Sequence, residues 1–259
     1  MSSSAGPPQA YFPKVTVITA VYNGEKYIDE CIKSILSQSY SNFEYIIIDG
    51  GSTDNTIEII KSYRQNLSYW VSEADSGIYD AWNKGLERAN GDWITFVGSD
   101  DELFPDALEI YVDHIREHIN RDDLQFVSSL IKLVDEQMNY IKTVGHIWVW
   151  KQFKKKMTTW HVGTFHAKHL FAKYGYYDNS FKISGDYELL LRVKDKLNAS
   201  FVNEETVKMR VGGISDVNIL KANRETYRAK IKNGVLSYTV GNLLQIIDTI
   251  RLFFRNGLK

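Results

Sequence analysis

Two adjacent acids, Asp100 and Asp101, follow an apolar segment at residues 93–97 and raise the first chemical question. Neighbouring carboxylates repel each other unless a cation, a set of backbone amides or a proton compensates their charge. Divalent cations such as Mg²⁺ take one or two protein carboxylates and complete their shells with water and phosphate oxygens. We therefore predict that Asp100 binds Mg²⁺ or Mn²⁺ beside a diphosphate, whereas Asp101 is equally compatible with capping the turn that follows.

These acids need a scaffold, and the first half of the chain predicts a parallel sheet. Four apolar, β-favouring segments alternate with helix-like segments between residues 14 and 122. That alternation is typical of a mostly parallel sheet with helices on both faces. Ligands bind such sheets beyond the carboxyl ends of the strands. A polar cluster follows each of the four predicted strands, and the clusters read TAVYNG, DGGST, SEADSG and GSDD.

The second half of the chain predicts a different arrangement, with one acid of particular interest. LQFVSSLIKLV and NYIKTVGHIWVW favour antiparallel strands, and ASFVNE and TVKMRVGG favour two more. The segment SGDYELLLRVKDKL predicts a helix with Asp186 in its first turn, where the helix dipole would lower the pKa of the carboxyl. An ionised carboxylate there could accept a proton from a hydroxyl nucleophile, although stabilising its own helix is the alternative role. We expect Glu188, two residues further on, to be solvated.

Composition excludes several classes of protein. The chain has 259 residues and a formal net charge of −1, which gives no footprint for binding nucleic acid. Cys31 is the only cysteine, so neither an intramolecular disulfide nor a four-cysteine zinc site can form. No run of about eighteen apolar residues predicts a membrane span, and the start lacks a secretory signal. We expect a cytoplasmic protein, with a disordered lead-in at residues 1–13.

A basic, aromatic segment lies between the two predicted strand groups. Trp160 and His161 could contact an acceptor or a donor phosphate, and packing is an equally good role for His161. Three histidines, His161, His166 and His169, fall within nine residues, but no cysteine supports a zinc site.

The C-terminal segment, residues 216–259, predicts an amphipathic helical tail. Its last part, LLQIIDTIRLFFRNGLK, is apolar with Arg251, Arg255 and Lys259 interspersed. Such a tail could lie on the inner face of the cell membrane, pack on the domain or contact a second subunit. The oligomeric state is left open.

Three segments together resemble the family 2 inverting glycosyltransferases with the GT-A fold, especially bacterial enzymes of surface-polysaccharide synthesis. The segments begin VTVITAVYNGEKY, SEADSGIYDAWNKG and HVGTFHAKHLFAKYG, and the likeness runs in order from Lys14 to Val193. The resemblance implies a GT-A domain at residues 14–215. Its nucleotide-sugar-binding half is residues 14–122, and its acceptor half, which includes a small antiparallel portion, is residues 123–215.

The resemblance also implies a reaction and a set of site residues. A sugar would move from a nucleotide-diphosphate sugar, with UDP favoured, to a hydroxyl of a glycan or lipid-linked acceptor in polysaccharide biosynthesis. Asp186 would be the general base, and Asp100 would bind the metal, Mn²⁺ or Mg²⁺. The remaining donor-binding positions would be Ala20, Val21 and Tyr22 at the nucleoside, Asp49 at the base, and Asp75, Gly77, Asn83 and Ser99 at the diphosphate or sugar.

Two departures from the family pattern suggest an alternative. Gly98 replaces the first acid of the Asp-any-Asp motif, and Gly185 replaces an acid often found before the last one at GDY. A nucleotide-sugar-binding protein without turnover is therefore the competing hypothesis. A nucleotidyltransferase is disfavoured because no Gly-rich loop follows the first strand, and a dinucleotide oxidoreductase because no G-x-G-x-x-G motif does.

Overall fold

The computed structural model describes residues 11–213 and 218–257, which contain nine strands and nine α-helices. Most of the expected disordered lead-in, residues 1–10, lies outside the described residues. The strands are β1 Val15–Val21, β2 Phe43–Asp49, β3 Tyr69–Ser72, β4 Trp93–Phe96, β5 Glu102–Leu103, β6 Phe126–Val134, β7 Tyr140–Val144, β8 Thr164–Ala167 and β9 Ala199–Arg210. The helices are α1 Ile28–Leu36, α2 Thr56–Ser62, α3 Ile78–Arg88, α4 Ala107–Glu117, α5 Trp150–Phe153, α6 Lys168–Tyr174, α7 Gly185–Val193, α8 Ile219–Lys232 and α9 Tyr238–Gly257.

The strands form one mixed sheet in the order β3-β2-β1-β4-β8-β6-β9-β5, with β7 paired to β6. The first four positions of that order, β3 to β4, are parallel, as the alternating sequence predicts. Val21 pairs with Asp49, and Asp49 pairs with Ser72, so three strands end at the same level of the sheet. The polar loops that follow these strands therefore meet along one edge.

Residues 123–213 continue the same sheet: β8 is antiparallel to β4, and β6 is antiparallel to β8. The prediction of two strands in the segment 199–213 is wrong, because β9 runs as one strand from Ala199 to Arg210. β9 is parallel to β6 and carries register shifts near Leu130 that absorb its irregular middle. It ends beside the loop of Asp100 and Asp101, which places a distant part of the chain at the acid pair.

Helices cover both faces of the sheet and bury two apolar cores. Adjacent strand residues point to opposite faces, so Val17 enters one core and Ile18 the other, and both are fully buried. The first core, here the α1 core, receives α1, α2 and α4. The second, here the α3 core, receives α3, α6, α7 and part of α8. The α3 core therefore joins both halves of the chain beneath Asp186.

The C-terminal tail divides into two helices with different surroundings. α8 packs against α7, and its Tyr227 and Ala229 are buried. α9 packs on α8 through two polar contacts, Tyr227 with Asp248 and Asn223 with Thr249. The opposite face of α9 is exposed and apolar. In the described part of the chain, no helix has the length and apolar character needed to cross a membrane.

Candidate active site

The loop after β1 and the loop after β2 are tied together at the sheet edge. The Asn23 amide donates to the Ser52 hydroxyl at 2.8 Å, and the Asn23 side chain accepts from the Thr53 amide at 2.8 Å. The Gly24 amide donates to the Thr56 hydroxyl at 2.8 Å. These cross-loop bonds leave the Tyr22 side chain 64% exposed above the edge, whereas Val21 is buried and Ala20 is partly buried.

Asp49 shapes this edge from below. Its side chain is fully buried, and its carboxylate accepts hydrogen bonds from the Gly51 amide, the Ser52 amide and hydroxyl, and the Ser72 hydroxyl. Because these donors from the protein occupy the buried carboxylate, Asp49 is not free in this structure to bind a nucleotide base directly. The Asp75 carboxylate lies beside Gly50, the residue after Asp49, because a Cβ atom on Gly50 would stand 2.7 Å from Asp75 Oδ2.

The loop before α3 faces the same edge, but only part of it is free. Asp75 Oδ1 accepts from the Gly77 amide at 2.7 Å, and Gly77 has a φ of +120°, which few residues other than glycine adopt. Asn83 was expected at the diphosphate, but its amide is engaged on both sides by the 177–179 segment. It donates to the Tyr177 carbonyl at 2.8 Å and to Asn179 Oδ1 at 2.7 Å, and it accepts from the Tyr177 amide at 3.0 Å. Asn83 therefore joins α3 to the segment at residues 177–179.

Asp100 and Asp101 follow Gly98 in the turn after β4, and both of their side chains lie close to it. A Cβ atom on Gly98 would stand 2.9 Å from Asp100 Oδ1 and 2.7 Å from Asp101 Oδ2, so a side chain there would displace the acids. Burial raises the pKa of Asp100, and burial together with the Asp100 charge raises the pKa of Asp101 well above its ordinary value. The Ser99 side chain is partly exposed beside them and faces the Gly24 loop.

The expectation that Asp101 caps the following helix is wrong. α4 begins at Ala107 with Asp106 at its N-cap position, and Asp101 instead accepts from the Arg210 amide at 3.1 Å. With a side chain only 2% exposed, Asp101 holds the end of β9 against the acid turn and is not presented to a ligand.

Arg210 is the functional residue that the sequence did not reveal. Its guanidinium donates to the Asp100 carbonyl, to Glu30 at 3.0 Å and to Glu102 at 3.1 Å, and it lies 4.4 Å from the centroid of the Tyr27 ring. The Arg210 cation is thus the protein's own compensation for a crowded acidic turn. No sequence signal marked it, because Arg210 is an ordinary strand residue 110 positions from Asp100.

Asp186 occupies the first turn of α7, as predicted, and is partly exposed. Its Oδ1 accepts hydrogen bonds from the Tyr187 amide at 2.8 Å and the Tyr79 hydroxyl at 3.1 Å. Burial raises the pKa of the Asp186 carboxyl to about 6, although these two donors oppose that shift. The expectation of a dipole-lowered pKa is therefore wrong, since desolvation outweighs the helix terminus. A pKa near 6 suits a general base at neutral pH.

Gly185 is small because Tyr79 fills the space beside it. A Cβ atom on Gly185 would stand 2.7–2.8 Å from three carbons of the Tyr79 ring. A side chain at position 185 therefore has no room in this chain, because the aromatic ring of Tyr79 in α3 occupies the space. The departure at Gly185 has a packing explanation that leaves Asp186 intact.

Asp186 shares a narrow cleft with residues of the basic, aromatic segment. Trp160, His161 and Thr159 line it opposite Asp186, and the ring centroids of His161 and Trp82 are 5.3 Å apart. Burial lowers the pKa of His161 to about 4, so the ring is neutral at pH 7. Thr159 is buried, and its hydroxyl has no hydrogen-bond partner within the described residues. The structure thus brings Trp160 and His161 together with Asp186 around a small cavity of about 10 Å³.

The neighbouring acids on α7 and α8 are structural. The prediction that Glu188 is solvated is wrong, because its side chain is fully buried and pairs with Arg192 and, at 3.0 Å, with Lys232. Burial would raise the pKa of Glu188, but the Arg192 and Lys232 partners outweigh it and hold that pKa below its ordinary value. Glu225 of α8 accepts from three successive amides, those of Lys182, Ile183 and Ser184, at 2.8–3.0 Å.

Residues 11–213 and 218–257 contain no group of three or more histidine, cysteine or acidic side chains poised to hold a metal ion. His166 lies in β8 with its ring packed near Phe126 and Phe171, so the three histidines do not converge on a zinc ion. A cation that used Asp100 alone and took its remaining ligands from phosphate and water still fits the acid turn.

Sequence comparison identifies the family. The family described as "Glycosyl transferase family 2" matches residues 16–175, so the chain belongs to glycosyl transferase family 2. An uncharacterised glycosyltransferase of Rickettsia typhi is 26% identical over 267 residues, covering 95% of this chain and 81% of that protein. A PGL/p-HBAD biosynthesis glycosyltransferase of Mycobacterium tuberculosis is 28% identical over 184 residues, covering 70% and 69%. The protein is accordingly a glycosyltransferase.

Comparison with solved structures identifies the fold as that of GT-A glycosyltransferases. S. aureus TarS 1–349 in complex with UDP has a TM-score of 0.66 at 21% identity and matches 84% of this chain and 65% of that chain. The Pyrobaculum calidifontis mannosyltransferase PcManGT in complex with GDP-Man and Mn²⁺ has a TM-score of 0.63 at 16% identity, covering 86% and 64%. At these identities the likeness shows the fold alone, and the fold agrees with the prediction from sequence.

Proposed function

We propose that the protein is an inverting glycosyltransferase that moves a sugar from a nucleotide-diphosphate sugar to an acceptor hydroxyl. The observation that supports this proposal most strongly is the position of Asp186. Its carboxylate is partly exposed, its pKa is raised to about 6 by burial, and two hydrogen-bond donors align it. These are the properties that a general base for a hydroxyl nucleophile needs.

In the proposed reaction, the acceptor O–H proton passes to Asp186 as the acceptor oxygen bonds to the anomeric carbon of the donor sugar. The bond from that carbon to the diphosphate breaks, and its electron pair leaves with the nucleoside diphosphate. The new bond forms on the face opposite the leaving group, so the anomeric configuration inverts. The negative carboxylate also stabilises the positive charge that develops on the sugar ring.

We place the donor along the edge formed by the loops after β1, β2 and β4. The exposed Tyr22 ring is available to stack on a base, and Asp49 acts indirectly by fixing the Gly51–Ser52 turn. The Asp75 and Gly77 loop borders the donor sugar or diphosphate, beside the partly exposed Ser99. We favour UDP over other nucleotides because a related structure, that of TarS, was solved with UDP and with UDP-GlcNAc.

Asp100 would hold the divalent cation, Mn²⁺ or Mg²⁺, in the acid turn. Such an ion, when bound, neutralises the diphosphate and stabilises it as a leaving group. Arg210 keeps the turn in shape through the Asp100 carbonyl, while Asp101 fixes the Arg210 backbone. One structural relative, PcManGT, was solved with Mn²⁺ and GDP-Man, which favours the same use of a metal here.

The groups that surround Asp186 suit a neutral sugar acceptor better than a phosphate. Trp160 offers an aromatic face, Thr159 a hydroxyl without a partner in the described residues, and His161 a neutral ring. A phosphate subsite would instead require cationic donors. The acceptor would be a glycan or lipid-linked saccharide of polysaccharide biosynthesis, and the exposed apolar face of α9 would hold the enzyme at the inner face of the membrane.

A donor panel tests this function without knowledge of the acceptor. The full chain is heated with UDP-sugars and GDP-mannose, each with and without Mn²⁺, and release of nucleoside diphosphate by donor hydrolysis is measured alongside. We expect Mn²⁺-dependent stabilisation by at least one UDP-sugar, together with slow release of UDP. Stabilisation without turnover, over a broad set of acceptors, would support the competing hypothesis of an inactive nucleotide-sugar-binding protein.

A further inference from the structure

The two oxygens of the Asp186 carboxylate have different surroundings. Oδ1 receives both of the hydrogen bonds, from the Tyr187 amide at 2.8 Å and from the Tyr79 hydroxyl at 3.1 Å. Within the described residues, Oδ2 has no hydrogen-bond donor. One oxygen is thus fixed to the protein, and the other is free to receive a proton.

Tyr79 is built to hold its position. It lies in the first turn of α3 with its side chain buried, and its ring packs against Trp82 at 5.3 Å and Tyr177 at 5.4 Å between centroids. The single proton of its hydroxyl is shared between Asp186 Oδ1 at 3.1 Å and the Ile183 carbonyl at 2.7 Å, just before α7. Burial raises the pKa of the Tyr79 phenol well above its ordinary value, so the group remains a neutral donor. The glycine at 185 completes the arrangement, because any Cβ there would meet the ring.

We propose that Tyr79 is a positioning residue for the general base: its hydroxyl holds Asp186 Oδ1 against α3 and directs Oδ2 toward the acceptor hydroxyl. This inference rests on the proposed function of Asp186. It also gives a function to the hydrogen bond that connects α3, in the first half of the chain, to α7, in the second half.

The test uses Tyr79→Phe, which keeps the ring and removes only the hydroxyl. A donor to the ionised carboxylate favours that form, so its loss should raise the pKa of Asp186. We expect the acid limb of the pH–rate profile for donor hydrolysis to move upward by about one pH unit. The midpoint of the Asp186 carboxyl carbon, followed by NMR in the donor-free protein, should move by the same amount. Turnover on the plateau above pH 7 should also fall, because Oδ2 is no longer directed toward the hydroxyl that it deprotonates.

Tyr111→Phe is the matched control. Tyr111 is equally buried, lies in the α1 core and donates to the Ser129 hydroxyl at 2.8 Å, so its loss removes a comparable hydrogen bond far from the base. We expect it to lower the melting temperature without moving the Asp186 midpoint. Should Tyr79→Phe fold poorly, Gly185→Ala perturbs the same contact, since the new methyl group would push the ring away from Asp186.

An Asp186 midpoint that stays in place, or moves downward, in both Tyr79→Phe and Gly185→Ala would overturn the positioning role. The failure of the proposed function gives a different result. If Asp186→Asn retains turnover, Asp186 is not the base, whatever happens to its titration in the other variants. If Asp186→Asn is inactive while Tyr79→Phe leaves the midpoint unchanged, only the inference about Tyr79 is lost.

Discussion

At the scale of single residues, the chemistry depends on how each carboxylate is surrounded. Asp49, Asp101 and Asp186 all lie at or near the ends of strands or helices, and the sequence does not show which of them is free to bind a ligand. The structure separates them by their donors. Asp49 is saturated by its own loops, Asp101 is bound to the Arg210 backbone, and Asp186 keeps one oxygen free.

The pH dependence of turnover follows from Asp186. Its pKa in the folded protein is raised to about 6, and the base must be ionised to accept a proton. Activity should therefore rise with pH through about 6 and reach a plateau near neutrality. A profile of kcat/KM for donor hydrolysis between pH 4.5 and 8 measures this limb. A limb near the ordinary Asp value, about 4, would contradict the buried environment.

Gly98 gives a second test at this scale. A methyl group at 98 would stand within 3 Å of both acid side chains, so Gly98→Ala should displace Asp100 and weaken Mn²⁺-dependent donor binding. Isothermal titration with a UDP-sugar, with and without Mn²⁺, measures the effect. Gly213→Ala is the control, because a Cβ there meets nothing within 4 Å. Unchanged Mn²⁺-dependent affinity in Gly98→Ala would rule out Asp100 as the metal ligand.

The sequence located residues correctly in the fold where their position depends on the end of their own element. Asp186 in a first helical turn and Asp100 after a strand could be located because periodicity fixes those ends. Glu188 was misassigned since helical spacing does not reveal that Arg192 and Lys232 would bury it. Arg210 and Tyr79 were missed because their partners lie 110 and 107 residues away in the chain.

At the scale of elements, helix α7, which carries the proposed base Asp186, is held by the C-terminal helix α8. The Glu225 carboxylate accepts hydrogen bonds from the backbone amides of residues 182–184, which lie immediately before the N-terminus of α7. Lys232 and Asn233 add contacts to Glu188 on the same helix. The C-terminal segment at residues 216–259, which the sequence predicts to be a separate tail, therefore includes a helix, α8, that supports α7.

Glu225→Gln tests this support. A glutamine side chain has one acceptor oxygen where glutamate has two, so the three backbone donors lose one of the two oxygens that they now share. We expect a loss of about 2 kcal/mol in the free energy of unfolding, measured with urea, together with lower turnover. Glu58→Gln, which removes an exposed ion pair with Lys61, should leave the unfolding midpoint nearly unchanged. Equal stability of the two variants would show that α8 does not hold α7 through Glu225.

Element prediction succeeded best in the first half of the chain. Alternating strands and helices have local signals, and the parallel order of β3-β2-β1-β4 follows from them. β9 could not be read correctly, because its irregular middle and its parallel pairing with β6 depend on contacts between distant segments. α8 was separated from the domain since its buried face carries charged residues such as Glu225 and Lys230, which resemble a solvated surface in sequence.

At the scale of the whole molecule, one surface remains apolar and without a partner in the described residues. We call it the α9 apolar face, and its exposed members are Leu243, Ile246, Ile250, Phe253 and Phe254. Their spacing places them on the side of α9 opposite Asp248, which contacts Tyr227 of α8. The exposed Arg251 flanks this face. An apolar stripe beside a cation suits the surface of an anionic membrane.

Vesicle binding tests this surface. The double variant Leu243→Ser/Ile250→Ser should sediment less with vesicles containing anionic lipid than the unmodified chain does, because each change removes buried apolar contact with the bilayer. Ile119→Ser is the control, since Ile119 is 97% exposed and lies outside the α9 apolar face. Equal sedimentation of all three proteins would exclude membrane docking. A concentration-dependent dimer lost in the double variant would instead assign the face to a second subunit.

The central claim is that Asp186 is the general base of a sugar transfer. The most direct measurement compares Asp186→Asn with the unmodified enzyme in Mn²⁺-dependent release of UDP, with donor affinity determined by calorimetry. Asn keeps the shape of the side chain but cannot take the proton, so we expect kcat to fall by roughly 10²–10⁴-fold while donor affinity stays close to that of the unmodified enzyme. Turnover near that of the unmodified enzyme would contradict the claim.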